Sequence, residues 1–262
     1  MQRHRSITKL LLAFSALLFA VAITPFCMAQ NQPAPQTYLV SAVKVKPGMM
    51  DQYRELLKNE TLPAFKKAGG KEWHTWVVQT LGEAGEIWTF RPLTNLKELD
   101  DPSFLTRALG EAGARALIAK RSQLVVSART FLATTVPDLS VQPKGEVKLG
   151  VGVINTVTPG RVPEFMKWLK ENALVANAKT NSRGVATFVQ ALGGNPNTVH
   201  VSVFFDNFDE IGKFVQVYNK AIADLKLQGN APVGVVSNVE FGVYRFVPEL
   251  SITPVPATAA SK

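Results

Sequence analysis

The chain has 262 residues, one cysteine, and 29 Lys+Arg against 20 Asp+Glu, which gives a formal net charge of +9. A single cysteine excludes an intrachain disulfide and a cluster of thiolate ligands, so packing must stabilise the fold. The densest basic cluster lies at the end of a predicted helix, and no groove of interleaved aromatic and basic residues accompanies it. We therefore expect no nucleic-acid partner.

The first 29 residues have the three parts of a secretory signal peptide. Three basic residues within the first nine precede an apolar run at 10–23, and Cys27-Met28-Ala29 ends the segment with small residues at its last and third-last positions. The run is shorter than the roughly 20 residues of a membrane-spanning helix, so a retained anchor is the weaker alternative. We expect cleavage after residue 29 and a periplasmic or secreted protein without a stable membrane anchor. Cleavage removes the cysteine and three of the 29 basic residues, leaving a net charge of +6.

The rest of the chain contains a repeat, which decides the fold before any local pattern does. Residues 45–58 and 157–170 share a β-type run, a Pro-Gly pair and an aromatic residue five positions after the glycine, at an offset of 112 residues. Further matches follow in the same order and end with VPDLS at 136–140 and VPELS at 247–251. We interpret the repeat as two homologous modules of about a hundred residues, a usual domain size. The predicted organisation is a signal peptide at 1–29, a flexible lead-in at 30–36, modules at 37–140 and 147–251, a linker at 141–146 and a disordered tail at 252–262.

In each module the pattern predicts strand, helix, strand, strand, helix and strand. A helix should begin at Met49 and be kinked or interrupted by Pro63. Asn95 with Glu98 has the spacing of a capping box, and Asp101-Pro102 offers a second helix start. The apolar stripe of that second helix is predicted to consist of Phe104, Leu105, Ala108, Leu109, Ala112 and Ala116. The strands of the first module are predicted at 38–46, 72–81, 86–91 and 124–134.

The second module repeats this order. Its first helix follows Pro159-Gly160, and its second helix has the clearest three-four periodicity in the chain. The buried stripe of the second helix is predicted to be Ile211, Phe214, Val215, Tyr218, Ile222 and Leu225. The strands are predicted at 147–157, 185–192, 198–205 and 233–245.

An antiparallel four-stranded sheet with both helices on one face leaves its other face bare. Large side chains nevertheless occupy both faces of several strands, since Trp73 and Trp76 differ in parity, as do Phe188 and Val189. The simplest cover for a bare apolar sheet is the sheet of the second copy. We therefore predict an α+β fold in which two tandem ferredoxin-like βαββαβ modules pair their antiparallel sheets as an intrachain dimeric α/β barrel. A pocket between the sheets would be the natural binding site.

The first module resembles the NIPSNAP group of the dimeric α/β-barrel superfamily. The resemblance rests on VKPG at 45–48, LPAFKKAGG at 62–70 and WTFR at 88–91. It covers residues 37–140 best and residues 147–251 more faintly. The superfamily also contains antibiotic-biosynthesis monooxygenases, haem-degrading monooxygenases and chlorite dismutases. The resemblance implies the barrel fold, but the chemistry of its members is too varied to imply a reaction.

Five residues are candidates for ligand binding, namely His74, Trp76, Trp88, Phe188 and His200. Each histidine is either a general base or haem ligand, or a strand histidine that is hydrogen-bonded at a sheet surface. Neither has a metal-ligand spacing, so no metal site is predicted. The aromatic residues either stack on a flat apolar ligand or pack between the modules. No catalytic residue is assigned.

Three functions are open at this stage. The first is an exported barrel protein that binds a small, largely apolar molecule between its two sheets. The second is an enzyme, a cofactor-independent monooxygenase in which a polar group stabilises the anion of an electron-rich substrate. The third is a structural or interaction protein with a filled barrel. No cofactor is predicted, although haem is a possibility that a Soret band would reveal, and a homodimer across the outer strands is possible.

Overall fold

The computed structural model describes residues 34–78 and 81–253. The predicted signal peptide, most of the lead-in and most of the tail therefore lie outside the described residues. The strands in this part of the chain are β1 Thr37–Val45, β2 His74–Val78, β3 Glu86–Leu93, β4 Val125–Thr135, β5 Leu149–Val157, β6 Gly184–Leu192, β7 Thr198–Phe205 and β8 Val236–Phe246. The α-helices are α1 Met50–Leu56, α2 Leu62–Lys67, α3 Phe104–Leu124, α4 Val162–Trp168, α5 Leu174–Asn177 and α6 Phe208–Asp224. None of these helices is long and apolar enough to cross a bilayer.

The strands form one closed antiparallel barrel in the order β1-β3-β2-β8-β5-β7-β6-β4. The predicted α+β class and closed barrel are confirmed. Strands β1 to β4 are neighbours around one half of the barrel, and β5 to β8 around the other. Two seams join the halves: β2 pairs with β8, where Trp76 lies opposite Phe246, and β4 pairs with β6, where Thr135 lies opposite Phe188.

The outer face of the barrel packs against the first helix of each half. Tyr53 and Leu57 are buried on the first half, and Phe165 and Leu169, which occupy the same places in the repeat, are buried on the second. The Pro-Gly turns that precede these helices place both glycines at positive φ, 77° for Gly48 and 80° for Gly160, a conformation that glycine adopts without steric cost. The outer core of the first half also contains Val43, Val45, Val77, Ile87, Val247 and Leu250. The outer core of the second half also contains Leu139, Val157, Val199 and Val235.

The segments that follow β4 and β8 cross to the opposite half of the barrel. Each forms a 3-10 turn, Pro137–Leu139 after β4 and Pro248–Leu250 after β8. Leu250 is buried among the side chains of the first half, and Leu139 is buried among those of the second. The exchange is reciprocal, so each half completes the outer core of the other.

Two buried threonines anchor these crossing segments. The Thr75 hydroxyl donates to the Leu250 carbonyl, and the Thr75 N–H donates to Ser251 Oγ at 2.9 Å. The Thr187 hydroxyl donates to the Leu139 carbonyl at 2.5 Å, and the Thr187 N–H donates to Ser140 Oγ at 3.1 Å. The matching VPDLS and VPELS sequences are therefore equivalent docking segments, in which leucine fills a core and serine accepts a backbone hydrogen bond.

The second helix of the first half departs from the predicted stripe. Gly110 has φ 70° and ψ 171°, which interrupts the helical path within α3. Residues beyond this point are rotated relative to the first turns, so Ala112 and Ala116 are exposed, and Ala114 and Leu117 are buried instead. The predicted stripe was wrong because the periodicity was counted through a glycine that breaks the helix.

The interruption of the first helix has another cause than Pro63. A π-helical turn, Leu57–Thr61, separates α1 from α2 and precedes this proline. The second half contains the same π turn, Leu169–Ala173, although Val175 stands where the first half has the proline. The turn therefore belongs to the repeated architecture, and proline is compatible with it because it lies at the start of the following helix.

The helix start predicted at Asp101-Pro102 was wrong, because Ser103 caps α3 and Pro102 lies before this cap. The last helix agrees with the sequence more closely. Asn95 caps a short 3-10 turn, Leu96–Leu99, and Ser103 caps α3 by accepting from the Thr106 N–H at 3.1 Å. In α6 most of the predicted stripe is half-buried, but Val215 and Leu225 are exposed. These two residues lie at the margin of the stripe, outside the narrow face that meets the sheet.

Candidate functional site

The pairing register shows which side chains point into the barrel. Trp76 lies opposite Trp88 on neighbouring strands, and Phe188 lies opposite His200. Residues directly opposite each other share one face of a sheet, and Trp76, Trp88 and Phe188 belong to the cluster that fills the interior. Trp73 has the opposite parity and packs outside the barrel. All five predicted site residues thus share the inner face, since His74 lies opposite the inward Phe90.

Six aromatic side chains form what we call the aromatic interior. Their rings contact one another in two groups: Trp76 stacks on Phe204 with 5.7 Å between centroids, and Phe90 lies 5.9 Å from Phe188. All six remain partly exposed although they point into the barrel. The members of the aromatic interior are Tyr38, Trp76, Phe90, Phe188, Phe204 and Phe246.

Small residues form the facing wall of the second half. Gly150 lies opposite Phe204, and Ala186 lies opposite Ser202. Ala186 and Ser202 point inward by their register and are themselves partly exposed. The rings of Trp76 and Phe204 cover Gly150, so the apolar ring surface that stays uncovered lies beside Ala186 and Ser202.

One end of the barrel is polar, and its residues lie on strands β3, β4, β7 and β8. We call this the polar end and define it by Glu86, Arg129, His200, Glu240 and Tyr244. Trp88 joins it to the aromatic interior, since the Arg129 guanidinium carbon lies 5.3 Å from the centre of the Trp88 ring. The Trp88 Nε1–H donates to Glu86 Oε2 at 3.0 Å.

His200 is largely buried at the polar end and is held between rings. Its imidazole stacks on Phe131 at 5.7 Å and meets Trp88 edge-on at 5.9 Å. Its Nε2 atom is buried and has no hydrogen-bond partner among the described residues. Burial, with a smaller contribution from the Arg129 charge, lowers the pKa of His200 to about 4. The imidazole is therefore neutral at pH 7.

Tyr244 completes the polar end through an unusual packing against glycine. A Cβ atom at Gly152 would lie 2.7 Å from its ring, and one at Gly242 would lie 2.8 Å from it, so the ring occupies the space that two side chains would need. Burial and the neighbouring carboxylate of Glu86 raise the pKa of Tyr244, so its hydroxyl stays protonated.

His74 differs from His200 in its surroundings. It lies near the other end of the barrel, where its Nε2 is 2.7 Å from Glu72 Oε1 and its ring is 6.2 Å from that of Phe246. The carboxylate occupies the nitrogen that a ligand would use. The structure therefore keeps His74 at the rim and apart from the polar end.

Comparison with known proteins bears on the fold alone. No family model matches the chain, and no curated protein matches it significantly. Among solved structures, an anthrone oxidase-like protein superposes with a TM-score of 0.56 at 12% identity, over 81% of this chain and 91% of its own. A protein from Lactobacillus acidophilus NCFM, proposed to be a monooxygenase, gives a TM-score of 0.53 at 10% identity, over 84% and 96%. The chain therefore shares the α/β-barrel fold of these proteins.

Two further likenesses concern the resemblance inferred from sequence. A mutant chlorite dismutase from Candidatus Nitrospira defluvii gives a TM-score of 0.51 at 9% identity, over 82% of this chain and 92% of its own. A NIPSNAP family protein from Agrobacterium tumefaciens covers 37% of this chain with a TM-score of 0.32, too low to support an argument. The dimeric α/β-barrel fold is thus confirmed, and the NIPSNAP-specific resemblance stays a prediction.

Neither His74 nor His200 is placed to serve as an axial ligand of haem iron. His74 Nε2 is bonded to a carboxylate. His200 Nε2 is buried, and the rings of Phe131 and Trp88 lie within 6 Å of its own ring, so a porphyrin could not approach that nitrogen. Among residues 34–78 and 81–253, no group of three His, Cys, Asp or Glu side chains could hold a metal ion.

The sequence predicted Trp76, Trp88 and Phe188, but the other rings of the aromatic interior and the charged residues of the polar end were missed. Arg129 shares a face with the inward-pointing Phe131, and Glu86 shares a face with Trp88, so alternation along each strand was the available signal. That signal indicates which side of a sheet a residue occupies. It does not indicate that strands β3, β4 and β8 bring their charged residues to one end of the barrel, because that depends on the order of the strands.

Proposed function

We propose that residues 37–140 and 147–251 are duplicated, NIPSNAP-like ferredoxin-like modules that pair as an intrachain dimeric barrel in an exported protein. Support comes from side chains that play the same part at repeat-related positions: Tyr53 and Phe165 fill the two outer cores, and Thr75 and Thr187 bind the two crossing segments. The apolar run after a basic start supports export.

We propose that this protein binds a small, flat, largely apolar molecule within the barrel. The supporting observation is the aromatic interior, whose six inward rings stay partly exposed beside the small inward residues Ala186 and Ser202. A flat ligand would cover this ring surface, and each aromatic contact contributes about 0.5–1.5 kcal/mol beyond the burial of area. A planar ligand can lie flat against these rings and a branched one cannot, so the aromatic interior favours a planar ligand.

Naphthalene is a suitable probe of this proposal. We expect its addition to quench the fluorescence of Trp76 and Trp88 in a saturable way. Ala186→Phe should abolish quenching because the new ring fills the space beside the bare wall. Ala112→Phe, on the exposed surface of α3, is the matched control and should bind as the wild type does. Unchanged binding by Ala186→Phe, or no saturable quenching at all, would favour a filled barrel with a structural role.

A cofactor-independent monooxygenase is the second candidate, and His200 is the observation that favours it. Burial keeps this imidazole unprotonated at neutral pH, and its Nε2 atom has no partner among the described residues, so it is available to accept a proton. Its lowered pKa limits this role to a substrate whose proton is acidic. A proton taken from an electron-rich substrate would leave an anion that reacts with O2. Arg129 lies close enough to contribute to the field at this imidazole.

Oxygen uptake with anthrone as probe substrate separates the two candidates. An enzyme should consume one O2 for each anthrone converted to anthraquinone and water, and His200→Leu should lower the rate by about a hundredfold or more, the usual contribution of a general base. A binding protein should retain naphthalene quenching and show no uptake above the buffer rate. Loss of His200 without any change in rate would remove the enzyme hypothesis.

A further inference from the structure

Arg129 is a cation whose charge is not paired with a carboxylate of the described residues. No carboxylate oxygen of the described residues lies within 4 Å of its guanidinium nitrogens. Its described contact is with the face of the Trp88 ring. Arg129 is exposed at the polar end, so a ligand that enters there meets a guanidinium with free N–H groups.

The carboxylates of the polar end are already engaged with donors. Glu86 Oε2 accepts from Trp88 Nε1 at 3.0 Å, and Glu240 Oε1 accepts from Asn238 Nδ2 at 3.2 Å. Their negative charges act on Tyr244, whose pKa they raise. The charge that acts on His200 is the positive one of Arg129. A negatively charged group placed beside the Nε2 atom would therefore be attracted by the Arg129 guanidinium.

We propose that the polar end binds the anionic oxygen group, a carboxylate or phenolate, of a flat aromatic ligand whose ring lies in the aromatic interior. This inference rests on the proposed function and adds the chemical class of the ligand. The guanidinium of Arg129 donates to the oxygen group, a planar match that arginine provides better than lysine. The His200 Nε2 atom has no hydrogen-bond partner among the described residues, and it is the second donor in the tautomer that carries the proton on this nitrogen. Trp88 contacts both residues and holds the two donors at the junction with the aromatic interior.

Three probes of one shape test the proposal, namely naphthalene, 2-naphthoate and 2-naphthylmethylammonium. Quenching titrations at pH 7 give a dissociation constant for each. We expect 2-naphthoate to bind at least about tenfold more tightly than naphthalene, because charge-assisted hydrogen bonds are about twice as strong as neutral ones. The advantage should shrink as salt concentration rises, since the guanidinium is exposed and its charge is screened.

Arg129→Gln is the decisive variant because it removes the charge of an exposed side chain and keeps a polar group there. It should erase the preference for 2-naphthoate and leave naphthalene affinity within about twofold. Arg129→Lys should restore part of the preference, since it keeps the charge without the planar fork. Arg115→Gln, which removes an exposed arginine on α3, is the control and should behave as the wild type.

Each other outcome overturns the inference in a distinguishable way. Equal affinity for naphthalene and 2-naphthoate would leave barrel binding intact and refute the anion site. Preference for the ammonium probe would mean that Glu86 and Glu240 dominate the polar end, which also refutes it. A 2-naphthoate preference that survives Arg129→Gln would assign the selectivity elsewhere. If none of the three probes binds, the proposed function fails, and the anion site fails with it.

Discussion

The protonation of His200 depends on whether the barrel is folded. Its position in the repeat is that of Trp88 in the first half, at the offset of 112 residues, and the two side chains meet in the interior. His200 thus takes the repeat position that an indole occupies in the first half. It is surrounded by rings, and its Nε2 atom has no hydrogen-bond partner among the described residues. Its proton affinity is therefore set by burial, and folding and protonation are coupled.

Stability should fall below pH 6.5 because of this residue. The His200 pKa is 6.5 in an exposed chain and about 4 in the fold, so between these values the unfolded chain binds a proton that the barrel excludes. The contribution is complete above pH 6.5 and is lost towards pH 4, up to about 3 kcal/mol at 1.36 kcal/mol per pKa unit. Urea unfolding of wild type and His200→Leu at several pH values measures it. The variant should show the smaller loss, and parallel pH profiles would contradict the prediction.

A glycine pair on β5 gives a second prediction at the scale of residues. A Cβ at Gly152 would lie 2.7 Å from the Tyr244 ring, whereas a Cβ at Gly150 would lie 3.5 Å from Trp76, an ordinary contact. Gly152→Ala should displace Tyr244 and destabilise the fold by about 1–3 kcal/mol, the cost of overpacking. Gly150→Ala is the matched control, and reduced chain entropy should make it neutral or slightly stabilising. Urea unfolding midpoints compare the two, and equal values would refute the proposed packing.

Elements were predictable from sequence to the extent that their period was unbroken. The β-strands and the Pro-Gly turns were located within a few residues, because alternation and glycine conformation are local properties. The stripe on α3 was not, since Gly110 changes the phase of the helix and the sequence gives no sign of its φ value. The docking role of VPDLS and VPELS was also hidden, because a repeated motif indicates shared structure without naming the surface that it meets.

The crossing segments supply a prediction at the scale of elements. Thr75→Val keeps the shape but leaves the Leu250 carbonyl without its donor, and Trp73 Nε1–H, 3.0 Å from this hydroxyl, without its acceptor. Unfolding free energy should fall by about 1–3 kcal/mol for each unpaired buried group. Thr187→Val removes one such bond and should cost less.

Thr94→Val provides the control for both substitutions, because this threonine is exposed. Its unfolding free energy should stay within about 0.5 kcal/mol of the wild type, as surface substitutions usually do. Urea unfolding measured for all three variants tests the order. An unchanged stability in both buried variants would show that the crossing segments do not hold the halves together.

The assembly of the whole barrel follows from the exposed inner faces of two sheets, and this part was accessible from sequence because a duplicated amphipathic sheet has an obvious cover. The polar end was not accessible. It depends on the order in which β8 and β4 meet their neighbours, which brings Arg129 and His200, 71 positions apart in the chain, to one place. Such pairings between distant strands leave no local trace in the sequence.

A cut in the linker tests whether the halves are held by their surfaces or by the chain. Residues 142–146 are exposed, and Gly145 has open space around it, so a protease site inserted there should be tolerated. After cleavage the two pieces should elute together at about 1 µM, because two strand seams and two reciprocal crossing segments remain. The uncut insertion variant controls for damage by the insertion itself.

Carrying Thr75→Val and Thr187→Val into the cut protein should raise the dissociation constant of the pieces by at least about tenfold, since each weakened anchor counts directly against association once the linker is gone. Pieces that separate at once after cleavage, while the uncut variant stays folded, would mean that the linker and not the seams closes the barrel.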